Sequence, residues 1–358
     1  MANQDKLDLF REKIDEIDSD VLDLLSKRAK IAQDVGLLKG SAPKYRPERE
    51  AKLLARLRAD NTGPLQNIAL NRIFTEIISA CRALEESPVV ACLGPKGTFS
   101  EQAVLKCFGH SVEVSFVASI DAVFREVQAK NAAYGVVPLE NSTEGAVART
   151  LDLFVASELK ICGEIILPIH HNFLTTAKDI SIIREVYSHS QSFGQCSQWL
   201  LENIPHAERV VVSSNAEAAK LASLKPEFAA AVGGLDAGKQ YGLPPLVTNI
   251  EDDPNNITRF VVIGNDNIGP SNGDKTSFVM STPSQPGALS DLLQPLKQNN
   301  VNMSRLESRP SRSGVWEYVF FVDVLGHQAD NNVASALEQI RDRAGFLKIL
   351  GSYPIAER

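Results

Sequence analysis

From Leu7 onward the apolar positions step by three and four: Leu7, Phe10, Ile14, Ile17, Val21, Leu24, Ile31, Val35 and Leu38, with Arg28 on one of the steps. This is the period of a helix with one apolar stripe, and no glycine interrupts it before Gly36. The spacing predicts a single helix about 50 Å long at 1.5 Å per residue, ended by Gly40 and Pro43. A lone small domain cannot cover so long a stripe, so a partner chain is expected along it. Helical spacing resumes after Pro47, and again from near Pro64 through Ile68, Phe74, Ile77 and Ile78 to Glu86, prolines being common in a helix's first turn. Pro88 closes this all-helical module, residues 1–87.

From Val89 the pattern changes. The runs VVACL, VEVSF and YGVVPLE alternate with helical stretches, which predicts an α/β domain with largely parallel strands. A similar unit spans Ile182 to Gly242, and FVVIG at 260–264 reads as a strand returning to the first lobe. The expectation for residues 89–264 is two α/β lobes around a cleft, an arrangement like that of periplasmic binding proteins. The polar, turn-rich stretch 265–274 reads as a linker, and residues 275–358 as a βαββαβ module of one sheet and two helices.

Composition excludes several classes. With 44% hydrophobic and 23% charged residues the chain is ordinary globular material. It has no run of about 18 apolar residues and no apolar stretch near its start, so a cytoplasmic protein without a membrane partner is expected. Cys81, Cys92, Cys107, Cys162 and Cys196 show no CxxC spacing, which favours reduced thiols over disulfides or zinc. A net charge of −7 argues against nucleic acid, so an anionic ligand needs local cations. His170 and His171 suggest metal ligands, but no carboxylate lies at useful spacing and adjacent strand residues point to opposite faces, so no metal is expected.

Arg28 demands an anion, because a guanidinium in an apolar seam costs several kcal/mol unless it is compensated. A carboxylate of the same chain such as Glu50 would serve, and so would a ligand. Lys39, eleven residues on, returns to within about 20° of Arg28 on the same face, whereas Arg11 lies about 25 Å back along the axis and can reach such a ligand only from a partner chain. With these residues and the Arg49-Glu50 pair, the module resembles the all-helical chorismate mutases, whose intertwined dimers build each site from both chains. The resemblance implies that Arg28 and the partner copy's Arg11 bind the two carboxylates of chorismate. Lys39 would donate to the ether oxygen that becomes anionic as its bond breaks. Such a rearrangement needs a held conformer and aimed cations, not a cofactor. Three positions depart from the family pattern: Arg46 stands where an acid is usual, Cys81 where a serine is, and Glu85 where a glutamine is. Glu85 can donate to the ether oxygen only when protonated, so mutase activity is expected to favour mildly acid pH.

Four stretches bring small hydroxyl and amide side chains to strand ends: GPKGTFSEQA at 94–103, VPLENSTEGAV at 137–147, YSHSQSFGQCSQWL at 187–200 and NITRF at 256–260. Thr98 and Ser100 sit where a helix begins and would present free N–H groups to an anion, or simply cap the helix. Together the four resemble prephenate dehydratase. That likeness implies Thr258 as the catalytic hydroxyl, with Glu140, Asn141, Ser188 and Gln195 around prephenate. Arg259 would position a carboxylate or serve an ion pair. The last module resembles an ACT domain, with Gly287, Ala288 and Leu289 and then Glu307, Ser308 and Arg309 matching a phenylalanine-binding pair of motifs. Taken whole, the chain resembles a bifunctional chorismate mutase and prephenate dehydratase, with no cofactor, phenylalanine as effector, and a homodimer or higher oligomer as its state. A first module kept only for dimerisation or regulation, and a solute-binding middle, are the competing readings.

Overall fold

The computed structural model describes residues 2–40, 45–85, 87–282, 285–310 and 318–356. They form two compact units. The first is built on α1 (Ala2–Lys39), the later part of α2 (Pro47–Asp60) and α3 (Asn67–Ala83). Helix α1 is the expected single helix, and Gly40 follows it with φ +55°, a left-handed position that glycine accepts without strain. Pro43, the other expected stop, lies outside the described residues. The apolar stripe divides in two. Leu25, Arg28, Ala29, Ala32 and Val35 are half-buried, whereas Leu7, Phe10, Ile14, Ile17, Val21, Leu24, Ile31 and Leu38 are each at least 46% exposed. One chain therefore covers only a minor part of its own longest apolar surface.

The second unit holds two lobes and a sheet domain. Lobe one comprises β1 (Val89–Leu93), α4 (Phe99–Phe108), β2 (Glu113–Val117), α5 (Ile120–Gln128), β3 (Tyr134–Asn141), β4 (Gly145–Ala146), α6 (Ala148–Ala156) and β5 (Lys160–Pro168). Lobe two follows with β6 (Asn172–Leu174), β7 (Glu185–His189), α7 (Ser190–Gln195), α8 (Ser197–Asn203), β8 (Glu208–Val212), α9 (Asn215–Ser223), β9 (Ala229–Gly233), α10 (Leu235–Tyr241) and β10 (Pro245–Val247). The chain then returns to lobe one as β11 (Ile257–Gly264). Strand order is β2-β1-β3-β11-β5 in lobe one and β10-β6-β9-β7-β8 in lobe two.

The sheets are mixed, which corrects the expectation of largely parallel strands. The pairs β1–β3, β7–β8 and β7–β9 are parallel, but β11 runs antiparallel to both β3 and β5, and β6 antiparallel to β9 and β10. The reason is the double crossover. Strand β5 leaves lobe one where β11 enters it, Pro168 pairing with Ile257, so a strand arriving from the other lobe must oppose the one that departed.

The C-terminal domain is an antiparallel sheet of order β13-β14-β12-β15, formed by β12 (Asp274–Ser281), β13 (Met303–Pro310), β14 (Tyr318–Leu325) and β15 (Phe346–Pro354), with α11 (Ala288–Gln298) and α12 (Asn331–Arg341). Period-two alternation sorts β12 into two faces. Phe278 and Met280 join Leu292, Leu296, Val333 and Ile340 of the helices. Val279 joins Phe321, Leu350 and Tyr353 in one core with Phe124, Phe154, Val261 and Ile263 of lobe one. The stretch expected as a plain linker is correspondingly fastened: Tyr134 donates to Asp266 at 2.6 Å, Ser271 to Asp274, and the His327 ring lies 2.9 Å from the Ile268 carbonyl.

Sheet and lobe approach so closely that a Cβ on Gly351 would stand 2.2 Å from the carbonyl oxygen of Ile161. We expect Gly351→Ala to destabilise the second unit by about 3 kcal/mol through this overlap. Gly273→Ala, whose Cβ would meet nothing within 4 Å, should change stability by less than about 0.5 kcal/mol. Urea unfolding of the two variants checks the difference.

Candidate active sites

In the helical unit Arg28 reaches from α1 to α3, its Nη1 donating to the Ile77 carbonyl at 3.5 Å. Gly36 lets the chain beyond α3 close on α1, since a Cβ there would lie 2.8 Å from Cγ of Glu85. Arg28 and Glu85 thus come to the same helix pair, with Cys81 buried on α3. Arg11 does not join them: it is exposed and bonds Asp8 at 2.9 Å. At the start of α2, Arg46 holds the N-cap position, Arg49 is exposed and Glu50 half-buried. Lys39 is the last residue of α1, and its side chain lies outside the described residues.

In the second unit, the cleft-side ends of β3 and β11 put Asn141 directly opposite Thr258. Asn141 Nδ2 donates to Thr258 Oγ1 and to Asn256 Oδ1, both at 2.8 Å. Its Oδ1 accepts from Thr143 Oγ1 at 2.6 Å and from the backbone N–H groups of Thr143 and Glu144. Gln195, at the end of α7 in the other lobe, donates to Thr143 Oγ1 at 3.1 Å, and its Oε1 lies 2.9 Å from His171 Nε2. His171 sits on the crossover between the lobes. The carboxylate of Glu251 on the return crossover takes the His171 N–H at 2.9 Å and lies 2.7 Å from His170 Nδ1. The two histidines therefore serve the joint between the lobes, and among the described residues no group of three or more His, Cys, Asp or Glu side chains is placed to hold a metal. Among the described residues no disulfide joins any of the five cysteines, and burial pushes the Cys92 and Cys162 thiols up to about 12, with Glu101 and Asp266 respectively adding to the shift.

Several of the residues expected around prephenate find partners within the protein. Arg259 is taken up by the protein itself: Nε donates to Glu164 at 2.8 Å, Nη1 to Asp323 at 2.6 Å and Nη2 to the Tyr353 hydroxyl at 2.9 Å. Burial alone would lower its pKa, but Tyr353, Asp323 and Glu164 hold it above the ordinary arginine value. Ser188 is completely buried, its hydroxyl 3.0 Å from the Val232 carbonyl and 3.2 Å from Asn215 Oδ1, because it occupies the middle of a sheet. At the glycine turn Thr98 caps α4 by accepting from Glu101 N, and the Glu101 carboxylate takes the Gly97 N–H at 2.5 Å. The local N–H groups are in part already satisfied, and Ser100 is buried. Glu140, expected beside prephenate, is ion-paired with Arg305 of β13 at 2.9 Å. In the C-terminal sheet Gly287 starts α11 at φ +80° with Ala288 and Leu289 behind it, while Arg309 of β13 faces Asp152 at 3.4 Å. Glu307 is half-buried and Ser308 exposed on the same strand.

Residues that sequence reasoning missed are Thr143, Asn215, Asn256 and Asp323, while His171 was singled out only as a metal ligand and set aside. Thr143 and Asn256 fall inside the quoted polar stretches, so their composition was a signal, whereas Asn215 lies outside all four. Asp323 lies in an apolar strand pattern, YVFFVDVL, where a lone acid is itself the signal.

The three folded parts correspond to three family models: chorismate mutase type II at residues 10–86, prephenate dehydratase at 90–268 and the ACT domain at 276–342. The bifunctional chorismate mutase/prephenate dehydratase of Neisseria gonorrhoeae is 46% identical over 97% of this chain and 96% of its own length. A prephenate dehydratase from Arthrobacter aurescens, solved in complex with L-Phe, matches with 33% identity and TM-score 0.68 over 75% of this chain and 90% of that one. The quorum-quenching acylase GqqA matches with 26% identity and the same TM-score over 75% of this chain and 98% of that one. A fold shared by a dehydratase and an acylase leaves the chemistry to the site. Fold and site define a three-part enzyme in which a helical module precedes a two-lobed module with an amide and hydroxyl cluster and a small regulatory-type sheet domain. The chain belongs to the bifunctional chorismate mutase/prephenate dehydratase family.

Two outcomes follow from the buried groups. Arg259→Leu leaves Glu164 and Asp323 without their shared cation, and the second unit is expected to lose about 3 to 5 kcal/mol in urea unfolding. His171 has its pKa lowered, by burial first, with Gln195 and Glu251 opposing. An unfolded histidine takes a proton near pH 6.5 and the folded ring only below that, so the unfolded chain binds more protons and folding stability falls as pH drops through 6.5. Unfolding curves between pH 5 and 8 should show this loss in the native chain and a shallower one in His171→Gln.

Proposed function

We propose that the helical unit rearranges chorismate to prephenate at a site completed by a second copy of the chain, and that the two-lobed domain converts prephenate to phenylpyruvate with Thr258 as the key hydroxyl. The observation that carries the dehydratase reading is the bond from Asn141 Nδ2 to Thr258 Oγ1. A hydroxyl that accepts from an amide keeps its own proton free to donate. In the reaction the ring-to-carboxylate bond breaks as carbon dioxide leaves, its electron pair enters the ring, and the ring C–O bond breaks. The departing oxygen gathers negative charge and leaves as water once protonated. A hydrogen bond from Thr258 strengthens as that charge develops, which lowers the barrier. Gln195 and Asn141 would contact prephenate beside it, with Thr98, Ser100, Glu140 and Ser188 shaping the surroundings.

For the mutase, the exposed stripe of α1 supports a homodimer, because burying it against another copy removes a large apolar area from water. Arg11 of the second copy would then meet chorismate held by Arg28, Lys39 and Glu85, with Arg46, Arg49, Glu50 and Cys81 around it. Phenylalanine would act at the C-terminal sheet, through Gly287, Ala288, Leu289, Glu307, Ser308 and Arg309. The Arg305 to Glu140 ion pair, one residue from Asn141, offers a route from effector to hydroxyl. Reduced thiols and the substrate class fit a cytoplasmic enzyme.

Thr258→Ala is expected to abolish phenylpyruvate formation while chorismate consumption continues at its normal rate, the two followed in separate assays. Near-normal dehydration in that variant removes Thr258 from the reaction. Glu85→Gln should extend mutase activity toward neutral and alkaline pH, because an amide donates at every pH. An unchanged pH profile takes Glu85 out of the site.

A further inference from the structure

His170-His171-Asn172 stood out in the sequence and found no place in the reaction. His171 is 1% exposed, its ring set edge-on to Phe99 at 5.7 Å between centroids. Its backbone is clamped on both sides, the N–H to Glu251 and the carbonyl to Ile250 N at 2.8 Å. A ring held this firmly has one polar contact, Nε2 to Gln195 Oε1 at 2.9 Å, and its Nδ1 is buried without a hydrogen-bond partner among the described residues.

From that contact a continuous chain runs to the reacting hydroxyl: His171, Gln195, Thr143, Asn141, Thr258. Counting protons gives it a single direction. Asn141 has its amide nitrogen on Thr258 and Asn256, so its oxygen can only accept. Thr143 has one hydroxyl proton, which goes to that oxygen, so Thr143 must accept from Gln195 Nε2. Gln195 Oε1 is then an acceptor, and the group facing it must be an N–H. A neutral imidazole satisfies this in one tautomer only, with the proton on Nε2 and Nδ1 bare. The unpartnered buried Nδ1 agrees, since a protonated Nδ1 would be an unsatisfied buried donor on a cation.

We infer that His171 is a positioning residue of the dehydratase, whose Nε2–H fixes the Gln195 amide and, through Thr143, braces the Asn141 amide that leaves the Thr258 hydroxyl proton free for the departing oxygen. The inference rests on the reading of Thr258 given above. Reversing the Gln195 amide would present an N–H to Nε2 and an oxygen to Thr143. Thr143 would then turn its proton to Gln195, and Asn141 Oδ1 would keep only the backbone N–H groups of Thr143 and Glu144, which loosens the amide that donates to Thr258. The crossover location adds a second effect, because Gln195 comes from lobe two and Thr143 and Asn141 from lobe one. The chain forms only when the lobes hold the spacing seen here.

The test uses the full-length chain, with mutase turnover as an internal measure of folding. Glutamine can bring an amide N–H to the place of Nε2, and leucine cannot. His171→Leu is expected to lower dehydratase kcat about 100-fold, the scale of a misplaced reacting group, with KM for prephenate within about threefold and mutase activity unchanged. His171→Gln should retain kcat within about fivefold, and His171→Leu combined with Gln195→Leu should be no slower than Gln195→Leu alone, as for residues acting through one another. Near-normal kcat in His171→Leu, equal losses in the leucine and glutamine variants, or additive losses in the pair overturn the inference. Long-range nitrogen–proton spectra of the unsubstituted chain labelled with 15N-histidine give a reading independent of any variant: a neutral Nε2–H ring supports the inference and an Nδ1–H ring overturns it. Activity in Thr258→Ala counts against the reading of Thr258, whereas an inactive Thr258→Ala beside an active His171→Leu counts against the role of His171 alone.

Discussion

The second unit depends on one strand. Strand β11 is held antiparallel between β3 and β5, and adjacent residues of a strand point to opposite faces. Thr258 is thereby joined to Asn141 at the cleft end of the sheet, and Arg259 to the C-terminal domain. Backbone pairing on both sides leaves β11 no freedom to slip, since a shift of one residue would exchange the two. The amide and hydroxyl cluster and the docking of the small sheet are thus consequences of a single register.

Arg259 shows how the docking is specified. It lies with Lys275 against Glu164 and Asp323, two cations to two carboxylates, and Tyr353 and Ser277 supply further hydrogen bonds. Burying charges is costly unless every one is matched, so this cluster tolerates one arrangement of sheet against lobe. The surrounding apolar core supplies attraction without direction; the charges supply direction. Lobe one supplies Arg259 and Glu164 and the C-terminal sheet Lys275 and Asp323, one cation and one carboxylate each, and the pairs Arg259 to Asp323 and Lys275 to Glu164 cross between them.

The helical unit presents the opposite case, a surface that one chain cannot satisfy. The period along α1 was legible as helix from its first turns, and the expectation of a covering partner followed from length alone. Which steps of the stripe turn inward was not legible. Leu25 and Ala29 are half-buried though they lie off the stripe, while Leu24 and Ile31 are exposed. A 3.6-residue period says that a face is apolar but not which neighbour lies along it. Arg28 was recognisable as an oddity, yet its contact with the Ile77 carbonyl depends on where α3 lies.

Local order therefore came from the sequence by itself: the helices of the first module, the alternation of strands and helices, the βαββαβ plan, and the polar stretches that gather at strand ends. Those properties are set by residues a few positions apart, through periodicity, turn chemistry and side-chain type. Tertiary structure alone decided the antiparallel insertion of β11, the enlistment of Arg259 by Asp323 sixty-four residues away, and the joining of His171 to Thr258 through Gln195, Thr143 and Asn141. Each of these is a pairing of hydrogen-bond or charge partners distant in the chain. A residue's type states what partner it needs, and only the folded backbone determines which one it meets.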